Sequence, residues 1–374
     1  MDKEVIIQEY HRRVDLVQTL MKEIGLDAVL FSSTAQQGTQ LCVKFFSNYM
    51  LNTRRAYIFC ALGGEPYLIV PTVGQQFHAQ KISWLPENHV VTGNMMSIIK
   101  EFLAGHKVVG WYQPEELPSS VYRELTSLDV CYVDISRELT EARANKSQYE
   151  IELTQSASQL AAESFREVLK ILRPGVTEED LIGAAEGYLR AHGASDSLVL
   201  TRSQRPHSFI SRAQPVPIAR DGLFLYSAEV AGRGGYWTQM VRPVFMSRDA
   251  QPEAQAILRV SKAAEAAGVA ILRPGYRVSD VCMAIEDVVI QSGLKTGVWC
   301  GHGMGPDLGD AVDIGSSNQM KIVPNMVITL HPSIVSETDG LLYGNTFLTT
   351  EGAPINLTDY YNASPFLEDL LKEI

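Results

Sequence analysis

The sequence predicts an α+β protein: a smaller α/β domain followed by a larger C-terminal domain made of two related halves. Three observations predict it. Ile171-Leu-Arg-Pro-Gly175 recurs at Ile271-Leu-Arg-Pro-Gly275, and the same offset pairs Ala184 with Ala284, Glu186 with Glu286 and Gly193 with Gly293. Before this repeat, short apolar runs alternate with helical stretches. The 374 residues also exceed what one hydrophobic core ordinarily serves. A duplicated fold places its ligand where the halves meet, so the segments after the repeated helices are where chemistry is expected.

Residues 5–24 read as an amphipathic helix, and Asp27-Ala-Val-Leu-Phe31 as a buried strand. Arg55–Leu62 and Pro66–Val70, two apolar runs about Gly63-Gly64, read as a hairpin. Lys107–Trp111, a polar helical stretch and Val130–Val133 repeat the strand–helix–strand theme. The first domain is placed at residues 1–142 and the second at 143–374, with the charged connection Glu141–Ser147 at the boundary. Tyr149–Leu172 has helical periodicity at Ile151, Ala157, Leu160, Ala161, Phe165, Val168 and Leu169. Pro174-Gly175 stops it, and Thr177-Glu-Glu-Asp180 starts the next helix with a cap and first-turn acids. Leu198–Val244 is strand-like, with Gly232, Gly234 and Gly235 allowing a reversal. Helices near Glu253–Ile271 and Val278–Ser292 follow, then the glycine-rich Trp299–Gly305 and late strands at Val327–His331 and Leu341–Thr350.

Hydrophobic content of 45% and charged content of 20% fit a soluble globular protein. No apolar run approaches the ~18 residues that span a bilayer, and Met-Asp-Lys-Glu-Val lacks the layout of a signal peptide. A cytoplasmic location without a membrane partner is therefore expected. The net charge of −11, with no basic stripe, argues against a nucleic-acid partner. Cys42, Cys60, Cys131, Cys282 and Cys300 are far apart, and no Cys-x-x-Cys occurs. This pattern predicts neither a disulfide framework nor a zinc knuckle. Cys300, beside a glycine turn, is the one cysteine singled out.

Several motifs occur together: Lys146-Ser-Gln-Tyr-Glu-Ile-Glu-Leu153, Leu172-Arg-Pro-Gly-Val-Thr177, Arg220-Asp-Gly222, Gly235-Tyr-Trp-Thr238, Gly301-His-Gly-Met-Gly305 and Pro324-Asn-Met-Val327. In this order and spacing they resemble the pita-bread family of creatinase, prolidase and aminopeptidase P over nearly the whole chain. The resemblance implies a creatinase-type N-terminal domain and a pita-bread C-terminal domain whose repeat is an internal pseudo-twofold. Metallopeptidases of that family hold two metal ions with two Asp, one His and two Glu, carboxylates that can bridge divalent ions. Carried over by motif, those slots fall here on Ala228, Gln239, His302, His331 and Gly344. Accessory histidine slots fall on Ser211, with His207 four residues before it, and on Gly309. The resemblance therefore implies a member without a two-metal centre or other cofactor. Creatinase is itself metal-free, but its two guanidinium-gripping Glu positions fall on Val241 and Gly344, which argues against creatine.

The expected function is that of a metal-independent, creatinase-like enzyme acting on a small carboxylate-bearing molecule, by C–N hydrolysis or a related elimination or isomerisation. His302 and His331, with His207 as a third candidate, are the expected acid–base groups, because imidazole titrates near ~6.5. Each also has a plain alternative as a hydrogen-bonded structural or loop histidine. Gln239, Tyr343 and Asn345 are expected to hydrogen-bond the reacting group, and Arg205 or Arg242 to hold a carboxylate; surface or structural ion pairs are the alternative for the arginines. Tyr236, Trp237 and Trp299 are candidates for the pocket wall, or simply for core. In creatinase-like proteins an N-terminal-domain arginine reaches the partner subunit's site, which implies a homodimer here with Arg54 or Arg55 in that role. Two rival readings stand beside this one. One is a non-catalytic pita-bread binding module. The other is an Xaa-Pro-type metallohydrolase with remade ligands, in which Glu229, Asp307 or Glu337 joins the histidines.

Overall fold

Period-2 burial organises the first 134 residues. Val29 and Phe31, Ile58 and Cys60, and Leu68 and Val70 face one core with Val17 and Met21 of the helix Lys3–Ile24. The intervening Ala28, Leu30, Tyr57, Phe59 and Ile69 face a second core with Ile99, Leu103 and Leu125. Helices thus cover both faces of one sheet, as alternating side chains on a strand require. Its six strands lie in the order Val90–Thr92, Tyr67–Val70, Arg55–Ala61, Ala28–Thr34, Val108–Trp111, Cys131–Asp134. The computed structural model describes every residue except Met1, Asp2, Gly38, Val298, Trp299 and Ala311. By contacts the chain divides into two units, Met1–Arg143 and Ala144–Ile374. No described helix is long and apolar enough to cross a membrane.

The larger unit opens with the helix Gln148–Ile171, capped by a box in which Ser147 and Glu150 exchange hydrogen bonds. Thr177 and Asp180 cap the next helix, Glu178–Ala191, in the same way. A second pair follows at Pro252–Ile271 and Val278–Gln291. The turns joining each pair pass through Gly175 (φ 91°) and Gly275 (φ 100°), left-handed positions that favour glycine. Strands Asp196–Arg202, Leu223–Ala231 and Trp237–Phe245 form an antiparallel sheet. Gly301–Gly303, Val327–Leu330, Asn345–Leu348 and Ile355–Asn356 form a second sheet. Lys295–Thr296, Ser333–Val335 and Gly340–Leu342 form a third.

Four sequence expectations need correction. Glu141–Ala144 are not a connection but the end of a helix, Ser136–Ala144. Residues 203–222 leave the strand pattern: Pro206, Pro215 and Pro217 cannot donate to a ladder, and the buried Glu178 carboxylate instead accepts from Ser203 N (2.7 Å) and Gln214 N (3.1 Å). The late strand at 341–350 is two strands in different sheets, broken at Tyr343-Gly344. Helices Leu41–Ser47, Val73–Ile82 and Met95–Leu103 were not anticipated; the first is buried along its whole length, so it shows no amphipathic period.

Candidate active site

The strand Leu223–Ala231 is buried at all nine positions, yet it carries a carboxyl group at Glu229. Burial pushes this group up to about 8, so it stays protonated at neutral pH. Gln239 lies directly opposite on the neighbouring strand and donates from Nε2 to Glu229 Oε1 at 3.3 Å. Its own Oε1 is buried and has no partner among the described residues.

Glu229 lines a cavity of about 530 Å³ together with His302 and Asp313. Leu198, Leu308 and Val312 make its apolar wall, and Gly309 adds no side chain to it. His302 stands on a strand that only glycine permits at its start: a Cβ on Gly301 would lie 2.1 Å from Thr329 O. His302 Nδ1 is 3.0 Å from Gly303 O. A carbonyl only accepts, so Nδ1 carries the proton and Nε2 is the basic nitrogen. Burial lowers the His302 pKa.

His331 completes a pair of imidazoles, its ring centroid 5.0 Å from that of His302 at an interplanar angle of 67°. It is 4% exposed, and among the described residues neither ring nitrogen has a hydrogen-bond partner. Burial, and then the charge of His302 were it protonated, push its pKa down to about 3. Its backbone N–H is fixed by Cys300 O at 3.0 Å.

The other expected residues sit elsewhere. Arg242 is buried and donates to Val241 O (2.9 Å), Gly344 O (3.1 Å), Tyr360 O (2.9 Å) and Asn345 Oδ1 (2.9 Å). Asn345 in turn donates to the buried Glu265 (2.9 Å) and to the Tyr343 hydroxyl (3.2 Å), which donates to Asn362. These three form a closed network whose protein partners take up their polar groups. Tyr236 donates to Glu150 at 2.6 Å, inside the helix cap, and Trp237 is buried in the core with Ile151 and Met304. His207 Nδ1 bonds Asp339 at 2.9 Å, and Arg205 bridges Asp339 and Glu253. Arg55 donates to Glu116 O at 3.0 Å, Arg54 is exposed at a left-handed position (φ 68°), and Trp299 lies outside the described residues. Of the twelve described side chains singled out for catalysis or binding, the structure brings His302, His331 and, through Glu229, Gln239 to one place. Sequence reasoning gave Glu229 only a metal-ligand role and passed over Asp313. The signal for Glu229 was present: one carboxylate inside the apolar run Leu-Phe-Leu-Tyr-Ser-Ala-Glu-Val-Ala.

Residues 152–351 match the family model of metallopeptidase family M24. The chain belongs to this family, which is the pita-bread family. Among M24 relatives, it is 26% identical over 239 residues to an uncharacterised peptidase of Bacillus subtilis (strain 168), YqhT, covering 62% of this chain. That match spans 66% of the relative's length. Among solved structures it resembles the dipeptidase PepE from Mycobacterium ulcerans (TM-score 0.83, 18% identity, 96% of this chain and 98% of that one). It also resembles the prolidase from Pyrococcus horikoshii OT3 (TM-score 0.81, 19% identity, 94% and 99%). These likenesses establish the pita-bread fold with its smaller N-terminal domain.

The donor set at this cavity departs from the paired metal ions that the family resemblance implies. Ala228 offers no ligand atom. At Gly344 a Cβ would lie 2.4 Å from His331 Cβ and 2.5 Å from Leu330 O, so backbone already fills the space a longer side chain would need. Among the described residues, no three ligand atoms of His, Cys, Asp or Glu converge at this cavity; the one converging group is Cys282, Glu286 and Cys300. The residues present therefore do not fit a carboxylate-bridged metal pair.

Proposed function

We propose that this M24 member is a metal-independent, creatinase-like hydrolase that cleaves a C–N bond in a small molecule, with His302 as the base and Glu229 as the acid. One observation carries this reading: a carboxyl group raised to about 8 and an imidazole with a lowered pKa line the same cavity. Environments that push two titratable groups apart in this way make one a proton donor and the other a proton acceptor at neutral pH. In the proposed step His302 Nε2 takes a proton from water, whose oxygen bonds to the electrophilic carbon. Glu229 gives its proton to the departing nitrogen as the C–N bond breaks. Proton transfer from His302 back to Glu229 restores both. Burial of His302 itself keeps that base unprotonated, and His331, held neutral by its own burial, adds no charge beside it.

A volume of about 530 Å³ suits a small ligand. The engagement of Arg205 and Arg242 with protein groups gives no support to a carboxylate-binding arginine, whereas Asp313 on the wall suits a substrate with an amine or amidine end. We further propose a homodimer, which rests on the family resemblance alone and is checked by light scattering. Turnover of amide and amidine substrates that persists after chelator treatment, and is lost in His302→Ala and Glu229→Gln, supports the reading. Turnover that returns only on adding manganese or zinc, and that both His302→Ala and His331→Ala abolish, replaces it with a metallohydrolase of remade ligands.

The apolar wall of Leu198, Leu308 and Val312 favours a second reading, a module that binds a ligand without converting it. Saturable binding with no product over the same panel decides for that module.

A further inference from the structure

Cys282 and Glu286 stand one turn apart on the helix Val278–Gln291, a spacing that puts both side chains on one face. Cys300 meets that face from the chain leading into the strand Gly301–Gly303. Its Sγ is 3.5 Å from Cys282 Sγ, and one ligand atom from each of the three residues lies within 4.8 Å of the others.

We infer that Cys282, Glu286 and Cys300 form a binding site for a thiophilic divalent cation of the zinc class, separate from the cavity that holds His302 and Glu229. Two magnitudes support a cation over the alternatives. Zinc–sulfur bonds of about 2.3 Å at a tetrahedral angle hold two sulfurs roughly 3.8 Å apart, close to the spacing found here. A disulfide needs about 2.05 Å, so the sulfurs would have to close by about 1.5 Å. The carboxylate argues against an inert apolar pair. Buried thiols ordinarily pack as small hydrophobes, yet here a carboxyl group joins them, and among the described residues no Lys or Arg forms an ion pair with Glu286. Cys282 and Cys300 are 3% and 1% exposed, while Glu286 is half-buried. Glu286 therefore marks the open side, from which an ion would arrive and where water would complete the coordination. Binding displaces the thiol protons to solvent and leaves two thiolates and one carboxylate on the ion.

The site has a mechanical consequence. Cys300 O accepts the backbone N–H of His331, and Cys300 is two residues before His302. An ion on Cys300 would fix the backbone that carries both histidines.

The test uses the full chain, kept reduced with a non-thiol reductant and titrated with cobalt(II). The expected result is thiolate-to-cobalt charge-transfer absorption that saturates at one equivalent and is displaced by one equivalent of zinc. Cys282→Ser and Cys300→Ser should each remove it, Glu286→Gln should weaken binding about tenfold, and His302→Ala should retain it. Absence of that absorption in the reduced wild type overturns the proposal, whatever the folding of the variants. So does its survival in the double Cys282→Ser, Cys300→Ser chain.

Discussion

A Cβ on Gly344 would lie 2.4 Å from the Cβ of His331, and 2.5 Å from the carbonyl oxygen of Leu330. The contact is between backbone-anchored atoms, so neither side can swing away. Gly344→Ala should therefore destabilise the fold by roughly 1–3 kcal/mol, the usual range for overpacking a filled core. His331→Gly should rescue part of that loss, because it removes one of three close contacts and leaves the Leu330 carbonyl and the Cα of position 331, at 2.7 Å, in place. A double-mutant cycle by denaturant unfolding measures the coupling. Full additivity of the two substitutions would show that Gly344 and His331 do not share this space.

Buried ionisable groups should write themselves into the pH dependence of stability. His331 is held at about 3 against an ordinary 6.5, and Glu229 at about 8 against an ordinary 4.5. Between about pH 3 and 4.5 the unfolded chain holds one more proton than the native chain, on His331, so stability rises with pH. Between 4.5 and 6.5 each state holds one proton on this pair, His331 in the unfolded chain and Glu229 in the native one, so the contributions cancel. Above 6.5 the native chain holds the extra proton, on Glu229, and stability falls until about 8. The pair thus contributes a plateau from pH 4.5 to 6.5 with slopes of up to about 1.4 kcal/mol per pH unit on either side. Glu229→Gln should flatten the alkaline slope and His331→Asn the acid one, read from urea midpoints across pH.

The raised Glu229 pKa and the lowered His302 pKa set the expected rate profile. A protonated Glu229 donor predicts that kcat/KM falls tenfold per pH unit above about 8. The lowered His302 pKa moves the acid limb below the usual histidine range. Glu229→Gln should reduce kcat by about 10²–10⁴-fold and abolish the alkaline limb in the residual rate. An alkaline limb unchanged in that variant would remove Glu229 from the proton path.

Much of this arrangement was legible in the residues. Helical period, caps and Pro-Gly turns placed all four long helices of the larger unit, because local chemistry decides those features. His302 and His331 were reached through motif spacing, and the structure sets their rings 5.0 Å apart. Glu229 was undervalued because one strand read by itself does not reveal which cavity it lines. The protein contacts of Arg242, Asn345 and Tyr343 were hidden for a related reason. Their side chains can bind a ligand or bind one another, and only the tertiary fold brings them to Glu265, Thr358 and Asn362. The break at Tyr343-Gly344 was hidden because both flanking strands are buried throughout and differ in the sheet they join.

The wall of the cavity rests on a buried ion pair, which gives the last prediction. Lys146 Nζ lies 2.6 Å from Asp310 Oδ2, with the side chains 5% and 3% exposed. Asp310 follows Leu308 and Gly309 of the wall, and its backbone N–H donates to Gly303 O at 3.0 Å, beside His302. Removing the ammonium takes the cation from a buried carboxylate in a low-dielectric setting, whereas removing both charges leaves no such imbalance. Lys146→Met should therefore cost about 3–5 kcal/mol, and adding Asp310→Asn should recover much of it. Because the pair holds the wall and touches no reacting atom, the double variant should raise KM several-fold and leave kcat nearly unchanged. Steady-state kinetics on the most stable of these chains separates the two effects. A fall in kcat with KM constant would place the pair in the chemistry instead.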